Sequence, residues 1–243
     1  MILAAGLGSR LKPWTDRHPK ALALINGKSL LQRNVEWLQG YGIRELIVNV
    51  HHFAGQITSA IDTHRGWGSK IIISDETQEV LETGGGLKKA GEWLADGGPF
   101  LLMNVDMLTD LDLSVMMSDH LAHRPLATLA VTDRVTSRYF LFDEGGELCG
   151  WRNVRTGEER IARVASVVEG PDATALSQKA FSGIHIIEPA IFALMQRKGK
   201  FSMVDVYLDL AAAQTIRGFD HSHSKLIDVG RPESVGQAEA LFP

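Results

Sequence analysis

A glycine-rich turn with two basic residues lies near the start of the chain. Residues 3–10 read LAAGLGSR, and Lys20 follows ten positions later. Glycines such as Gly6 and Gly8 let backbone N–H groups approach phosphate oxygens, because no Cβ stands in the way. The guanidinium of Arg10 can bind two phosphate oxygens at once, and the Lys20 ammonium adds a point charge. We therefore predict a phosphate site here; the alternative is a tight strand-to-helix turn with solvated basic side chains.

Two familiar nucleotide motifs can be excluded by inspection. A dinucleotide-binding turn needs a third glycine where this chain has Leu11, and it needs an acidic residue after the second strand, where residues 49–52 read NVHH. A P-loop ending in residues 27–29 (GKS) needs a glycine at the position of Leu22. The sequence therefore predicts neither a nicotinamide-dependent dehydrogenase nor a P-loop NTPase.

Apolar runs alternate with helical patterns through the first half of the chain. Buried strands are predicted at residues 1–5, 45–50, 70–74 and 100–104. Helices are predicted between them at about residues 30–41, 54–63 and 85–94. Strands that are apolar on both faces and alternate with helices are typical of a parallel sheet covered on both sides. The predicted fold class is α/β, with a Rossmann-like, mostly parallel sheet and helices on both faces.

The second half of the chain has a different pattern. Strands are predicted at residues 127–132, 139–142, 147–151, 181–187, 216–219 and 225–228, and helices near 189–195, 204–213 and 232–241. Residues 152–178 are polar and lack periodicity. No linker or repeat separates the halves, so we expect a single domain over residues 1–243, with halves at 1–124 and 125–243.

Composition excludes several classes of partner. The chain has 243 residues with 25 Lys and Arg against 29 Asp and Glu, a net charge of −4, whereas nucleic-acid-binding domains are usually basic. No apolar run approaches the roughly 20 residues of a membrane span. Cys149 is the single cysteine, so no intrachain disulfide can form. We expect a cytoplasmic protein without nucleic-acid or membrane partners.

The glycine turn resembles the signature of the sugar-1-phosphate nucleotidylyltransferase family. The matching positions are Leu3, Ala4, Ala5, Gly6, Gly8, Arg10, Pro13, Thr15, Pro19 and Lys20. Members transfer a nucleoside monophosphate from an NTP to a sugar 1-phosphate and release pyrophosphate. Residues 81–86 (LETGGG) most resemble short bacterial N-acetylmuramate 1-phosphate uridylyltransferases and the related mannose or heptose 1-phosphate guanylyltransferases. The resemblance implies an enzyme with a nucleotide-binding half at 1–124 and a sugar-binding half at 125–243.

Two carboxylates follow predicted strands and match the metal-binding aspartates of that family. Asp106 ends the run at residues 100–106 (FLLMNVD), and Asp228 lies in residues 227–232 (IDVGRP). Mg²⁺ is commonly held by one or two carboxylates together with substrate phosphates. The resemblance implies that Asp106 and Asp228 bind Mg²⁺ and that Arg10, Lys20 and Asp106 are catalytic. The alternative is an aspartate that caps a helix or a turn.

The resemblance also implies which residues bind the nucleotide and the sugar. Nucleotide contacts are expected from Leu3, Ala5, Gly6, Gly8, Thr83, Gly84 and Gly85. Sugar contacts are expected from Asn104, Ser182 and Gly183. Alternatives are a flexible helix entry for the glycines after Thr83 and a core strand for residues 181–185. Many relatives have a Glu-Lys-Pro element whose lysine binds the sugar phosphate; this chain lacks it, and Lys179 is the substitute candidate.

These observations together predict a Mg²⁺-dependent nucleotidyl transfer. The first expectation for its substrates is UTP with N-acetylmuramate 1-phosphate, and the second is GTP with mannose or heptose 1-phosphate. A non-catalytic nucleotide-sugar-binding protein on the same fold is the alternative from another class. It would be expected to lose a basic or metal-binding residue, whereas Arg10, Lys20, Asp106 and Asp228 are all present. A monomer or small homo-oligomer is expected.

Overall fold

The computed structural model describes residues 1–163 and 176–243. The strands are β1 (Ile2–Leu3), β2 (Leu24–Ile25), β3 (Lys28–Ser29), β4 (Glu45–Val50), β5 (Lys70–Asp75), β6 (Phe100–Asn104), β7 (Met107–Thr109), β8 (Ala127–Thr132), β9 (Arg138–Phe142), β10 (Leu148–Asn153), β11 (Glu158–Ile161), β12 (Ser177–Ile187), β13 (Ile216–Asp220) and β14 (Leu226–Asp228). The α-helices are α1 (Leu30–Gly40), α2 (Ala54–Thr63), α3 (Glu82–Lys89), α4 (Gly91–Leu94), α5 (Leu113–His123), α6 (Ile191–Leu194), α7 (Met203–Leu210) and α8 (Glu233–Leu241). Within the segment predicted to be irregular, residues 164–175 lie outside the described residues.

The main sheet has the strand order β11-β10-β9-β12-β6-β1-β4-β5, with β8 beside β12 and β13 beside β8. β1 is parallel to β4 and β6, and β4 is parallel to β5. β12 is antiparallel to β6, β8 and β9 and joins the parallel strands to those of the second half. The chain runs from β1 outward to β4 and β5 and then returns to β6 on the other side of β1. The carboxyl end of β1 is therefore a topological switch point, where α/β sheets bind ligands.

Helices cover both faces of the parallel strands, as the alternation of side chains requires. Ile2 belongs to an apolar core with Leu31 of α1 and Ile57 of α2. Its neighbour Leu3 belongs to the core on the opposite face, with Leu87 of α3 and Tyr207 of α7. The α/β fold class with helices on both faces is confirmed.

Three local predictions need correction. The segment 152–178, expected to be irregular, contains strand β11 and the beginning of β12. Helix α3 begins at Glu82 rather than at residue 85, so the glycines after Thr83 lie inside its first turns. Met107–Thr109 forms a strand that the sequence did not predict, and this strand pairs with β14. No helix within the described residues is long and apolar enough to cross a membrane.

Candidate active site

A cleft of about 470 Å³ opens at the carboxyl ends of β1, β4 and β6. The predicted site residues that line it are Leu3, Ala5, Gly6, Gly8, Arg10, Lys20, Thr83, Asn104 and Asp106. A larger cavity of about 620 Å³ lies at the opposite ends of these strands, but its lining is mainly apolar and includes no basic side chain from the described residues. Because binding of phosphate requires basic side chains, the first cleft is the candidate active site.

The glycine turn packs directly on two other residues of the signature. Gly8 has φ +63°, a left-handed conformation that favours glycine. A Cβ on Gly8 would lie 2.9 Å from Thr15 Cγ2 and 3.0 Å from Lys20 Cβ. The Thr15 hydroxyl donates a hydrogen bond to the Gly8 carbonyl at 2.9 Å. The turn therefore fixes the position at which the Lys20 side chain enters the cleft.

Lys20 and Asp106 form an ion pair that is largely withdrawn from solvent. The Lys20 ammonium donates to Asp106 Oδ2, and the two side chains are only 10% and 17% exposed. Lys20 follows β1 and Asp106 follows β6, and these strands are direct neighbours in the sheet. A poorly solvated charge requires a partner of opposite sign, and each of these two residues supplies the counter-charge of the other.

Asp228 lies beside Asp106 because β14 pairs with β7. The Val229 amide donates to the Asp106 carbonyl at 2.8 Å, which places the two aspartates at adjacent points of the site. The Asp228 carboxylate is 3.6 Å from Arg10 Nη2. A Cβ on Gly230 would lie 2.6 Å from Asp228 Oδ1 and 2.7 Å from Arg10 Nη2, so a side chain at this position would displace the two charged groups from their present places.

Asp106 and Asp228 fit a hard divalent cation such as Mg²⁺. Oδ1 of Asp228 is buried and has no hydrogen-bond partner among the described residues. An unpaired buried carboxylate oxygen is unfavourable, and a cation would satisfy it. Within the described residues, no group of three or more His, Cys, Asp or Glu side chains could hold a metal ion. The remaining ligands would therefore have to be phosphate oxygens or water.

Asn49 supports the glycine turn from β4, a role that the sequence did not predict. Its Oδ1 accepts hydrogen bonds from the amides of Ala4 at 2.7 Å and Ala5 at 3.3 Å. Its Nδ2 donates to Glu76 Oε1 at 2.8 Å. Glu76 is 2% exposed, and burial raises the pKa of its carboxyl. The sequence shows a polar residue, Asn49, within the apolar run of β4, but it does not show which groups that residue contacts.

Gly84 and Gly85 are not brought into the cleft. Both are buried, and their amides donate to the Phe201 carbonyl at 2.9 and 3.2 Å. A Cβ on Gly84 would lie 2.5 Å from the Phe201 ring, and one on Gly85 would lie 2.4 Å from the Gly199 carbonyl oxygen. The absence of side chains here therefore serves packing between α3 and residues 199–201. Thr83 does line the cleft, and its Oγ1 accepts from the Met203 amide at 2.8 Å.

Of the three predicted sugar contacts, only Asn104 lines the cleft. Gly183 has φ +70°, and a Cβ there would lie 2.6 Å from Asn104 Nδ2, so Gly183 lies directly behind this amide. Ser182 is fully buried, with its Oγ 2.8 Å from His221 Nε2. Lys179 does not line the cleft; it is paired with Asp133 and Asp220 outside it.

A third charged pair lies at the α3 side of the cleft, and the sequence did not predict it. Lys200 Nζ is 3.6 Å from Glu82 Oε1, and both residues line the cleft together with Ser202. Lys200 reaches the site from the segment between α6 and α7. No local pattern in the sequence indicates that this segment packs on α3.

Comparison with known proteins agrees with this geometry. The model of the family described as nucleotidyl transferase matches residues 1–241. The chain belongs to the nucleotidyl transferase family. This membership confirms the resemblance predicted from the glycine turn, and with it an enzyme of the sugar-1-phosphate nucleotidyltransferase type.

The nucleotidyl transferase has curated relatives with two kinds of name. It is 30% identical, over 99% of its own length and 95% of the relative, to the N-acetylmuramate alpha-1-phosphate uridylyltransferase of Caulobacter vibrioides. It is 28% identical to the probable mannose-1-phosphate guanylyltransferase 2 of Arabidopsis thaliana, over 89% of this chain but only 57% of that protein. The nucleotidyl transferase thus matches the bacterial relative over nearly its whole length and the plant relative over little more than half.

Solved structures of nucleotidyl transferases share the fold. HddC from Yersinia pseudotuberculosis complexed with GMP-PN superposes with a TM-score of 0.77 at 24% identity, covering 100% of this chain and 98% of that one. UDP-glucose pyrophosphorylase complexed with UDP-glucose gives 0.73 at 17% identity, covering 99% and 96%. At these identities the likeness shows the fold alone.

Proposed function

We propose that the enzyme transfers UMP from UTP to N-acetylmuramate 1-phosphate and releases pyrophosphate. The observation that carries the reaction type is that Arg10, Lys20 and Asp106 line one cleft; Asp228 is not among its lining residues but lies 3.6 Å from Arg10. Two cations and two carboxylates at a switch point suit a polyanionic triphosphate and a divalent metal. The choice of substrates is supported by the 30% identity to the Caulobacter uridylyltransferase over nearly the full length of both chains.

The chemistry needs no protein nucleophile or general base. A phosphate oxygen of the sugar 1-phosphate is already ionised at neutral pH and forms a bond to the α-phosphorus of the nucleotide. The bond from the α-phosphorus to the bridging oxygen breaks, and its electron pair leaves with the pyrophosphate. Catalysis then rests on positioning and on neutralising phosphate charge.

Each charged side chain has a proposed role in that step. Arg10 is exposed enough to bind the β- and γ-phosphates, and Lys20 lies deeper, where the α-phosphate would be. Asp106 and Asp228 would hold Mg²⁺, which neutralises phosphate charge and orients the oxygens when it is bound. Lys20 and Arg10, which pair with these carboxylates, are the cations proposed to bind phosphate.

The nucleotide contacts proposed from the glycine turn are Leu3, Ala5, Gly6 and Gly8, with Thr83 from α3. Asn104 is proposed to bind the sugar, with Gly183 behind it. We further propose that the enzyme is a monomer or small homo-oligomer and is located in the cytoplasm.

Pyrophosphate release tests the proposal directly. The purified protein is assayed in Mg²⁺ with UTP, GTP, CTP and ATP, each against N-acetylmuramate, N-acetylglucosamine, mannose and heptose 1-phosphates. We expect a signal that requires both UTP and N-acetylmuramate 1-phosphate. A signal with GTP and mannose or heptose 1-phosphate would instead favour the guanylyltransferase, the second candidate, which the similarity to the Arabidopsis protein supports. Nucleotide-sugar binding without turnover on any pair would indicate the non-catalytic alternative.

A further inference from the structure

A buried pair, Ser182 and His221, lies behind the side of the cleft where the sugar is proposed to bind, and it has no role in the reaction described so far. The two residues are 0% and 3% exposed, and Ser182 Oγ is 2.8 Å from His221 Nε2. His221 Nδ1 is also buried, and it has no hydrogen-bond partner among the described residues. A buried N–H without an acceptor is rarer than an unused lone pair, so we assign the ring proton to Nε2, which donates to Ser182. Burial lowers the pKa of His221 to about 4, so the ring is neutral at neutral pH.

The backbone of His221 holds the ring in place. His221 directly follows β13, which is parallel to β8. Its amide donates to the Val131 carbonyl at 2.9 Å, and its carbonyl accepts from the Ser224 amide at 2.8 Å. The imidazole therefore projects from backbone that is bonded on both sides of its Cα, and it can restrain the strand that carries Ser182.

Strand β12 departs from regular pairing at Ser182 and Gly183. Its ladder with β8 is irregular between Phe181 and His185, and its ladder with β6 begins only at Ile184. Bulges of this kind redirect side chains and are common next to active sites. The two residues lack the cross-strand pairing that fixes the rest of the strand, and the bond from the imidazole restrains the first of them.

Gly183, the second residue of the bulge, contacts the back of Asn104. It has φ +70°, and a Cβ there would lie 2.6 Å from Asn104 Nδ2 and 3.2 Å from Met107 Cγ. Asn104 is half-buried and lines the cleft, and its side chain makes no hydrogen bond to another described residue. The direction of its amide therefore depends on packing against Gly183. Because a misplacement of about 1 Å can slow a reaction about 100-fold, the position of the bulge matters to the site.

We propose that His221 is a positioning residue for the sugar phosphate. Its bond to Ser182 holds the bulge of β12, the bulge holds Gly183 against Asn104, and the Asn104 amide is thereby directed at the sugar. This role rests on the proposed function, in which Asn104 binds the sugar. The proposed nucleotide contacts lie on other elements, the glycine turn and α3, so loss of the bond should affect the sugar phosphate and not the nucleotide.

Steady-state kinetics test this role with UTP and N-acetylmuramate 1-phosphate, or with whichever pair the pyrophosphate assay identifies. His221→Leu and Ser182→Ala each remove the bond and should raise KM for the sugar phosphate about 10-fold, the equivalent of one hydrogen bond, with a smaller change in kcat. His221→Gln retains a donor near the position of Nε2 and should stay close to the wild type. Nucleotide binding in Mg²⁺, measured by calorimetry, should not change in any of these variants.

A second buried histidine provides the matched control. His120 is 0% exposed, and its Nδ1 is 2.8 Å from Thr128 Oγ1; neither residue lines the cleft. His120→Leu should lower stability in urea unfolding but leave KM for the sugar phosphate unchanged. A double-mutant cycle with Asn104→Ala separates positioning from a general loss of structure, because in that background His221→Leu should raise KM no further.

Any of three results would overturn the proposal. The first is an unchanged KM for the sugar phosphate in His221→Leu and Ser182→Ala, and Ser182→Ala alone decides this if His221→Leu does not fold. The second is an equal rise in KM in His120→Leu or in His221→Gln. The third is a full further effect of His221→Leu on Asn104→Ala.

The test remains decisive if no substrate pair turns over. Calorimetric binding of the same four sugar 1-phosphates then replaces KM: weaker binding to His221→Leu supports the role, and equal binding, or none to the wild type, overturns it. A different active pair, or absence of pyrophosphate release, contradicts the proposed function without deciding this one.

Discussion

Replacing Asn49 by alanine is expected to lower the free energy of unfolding by about 3 kcal/mol. Asn49 is 2% exposed. Alanine in its place would leave the Ala4 amide, the more distant Ala5 amide and Glu76 Oε1 without the hydrogen bonds that Asn49 makes to them. Each buried polar group left without a hydrogen-bond partner lowers the free energy of unfolding by about 1–3 kcal/mol. The Ala4 amide and the Glu76 carboxylate make the two short bonds, so two such losses set the size of the effect. Urea unfolding followed by circular dichroism measures it.

The same network predicts how two isosteric variants behave together. The Asn49→Asp variant keeps an acceptor for the Ala4 amide. It also places a carboxylate oxygen against Glu76 Oε1, to which Asn49 Nδ2 donates a hydrogen bond of 2.8 Å in the wild type. Adding Glu76→Gln restores a donor facing that carboxylate, so the double variant should recover at least about 1 kcal/mol relative to Asn49→Asp. The reasoning fails if Asn49→Ala loses less than about 0.5 kcal/mol or if the double variant recovers nothing.

Three further outcomes are expected. Asp106→Asn should reduce turnover by more than about 1,000-fold at any Mg²⁺ concentration while the protein stays folded, and near-normal pyrophosphate release would contradict the role of Asp106 and its pair with Lys20. Gly183→Ala should destabilise the fold by about 2 kcal/mol or more in urea unfolding, because φ is +70° and the added Cβ would press on Asn104; an unchanged unfolding midpoint would oppose this. Burial lowers the pKa of His221 to about 4 from 6.5, so its contribution to stability is present above pH 6.5 and is lost as the pH falls toward 4. His221→Gln should flatten that part of the stability profile, and an unaltered profile would show that another group titrates.

Much of the fold could be predicted because long elements carry strong patterns. The strands at residues 45–50, 100–104 and 127–132 and the helix at residues 54–63 have the predicted bounds. The missed strand β7 has three residues, which is too short to show a period of two. Its pairing with β14 is nevertheless what places Asp228 beside Asp106.

The site residues also fall into two groups, those that the sequence predicts to meet and those whose place depends on tertiary packing. The glycine turn, Lys20 and Asp106 could be predicted to meet because they follow adjacent parallel strands. Lys200 could not, because its place depends on how the segment before α7 packs on α3. Ser182 was expected in the cleft, but the register of β12 is irregular between Phe181 and His185, and its side chain is buried.

Strand β12 has a mechanical consequence for how the enzyme works. Its eleven residues bond to β9 at one end, to β6 at the other and to β8 along one side. A hinge between the two halves of the chain would have to break these ladders, so the frame that aligns the two substrates is stiff. Opening and closing of the cleft must then come from side chains and loops at its rim.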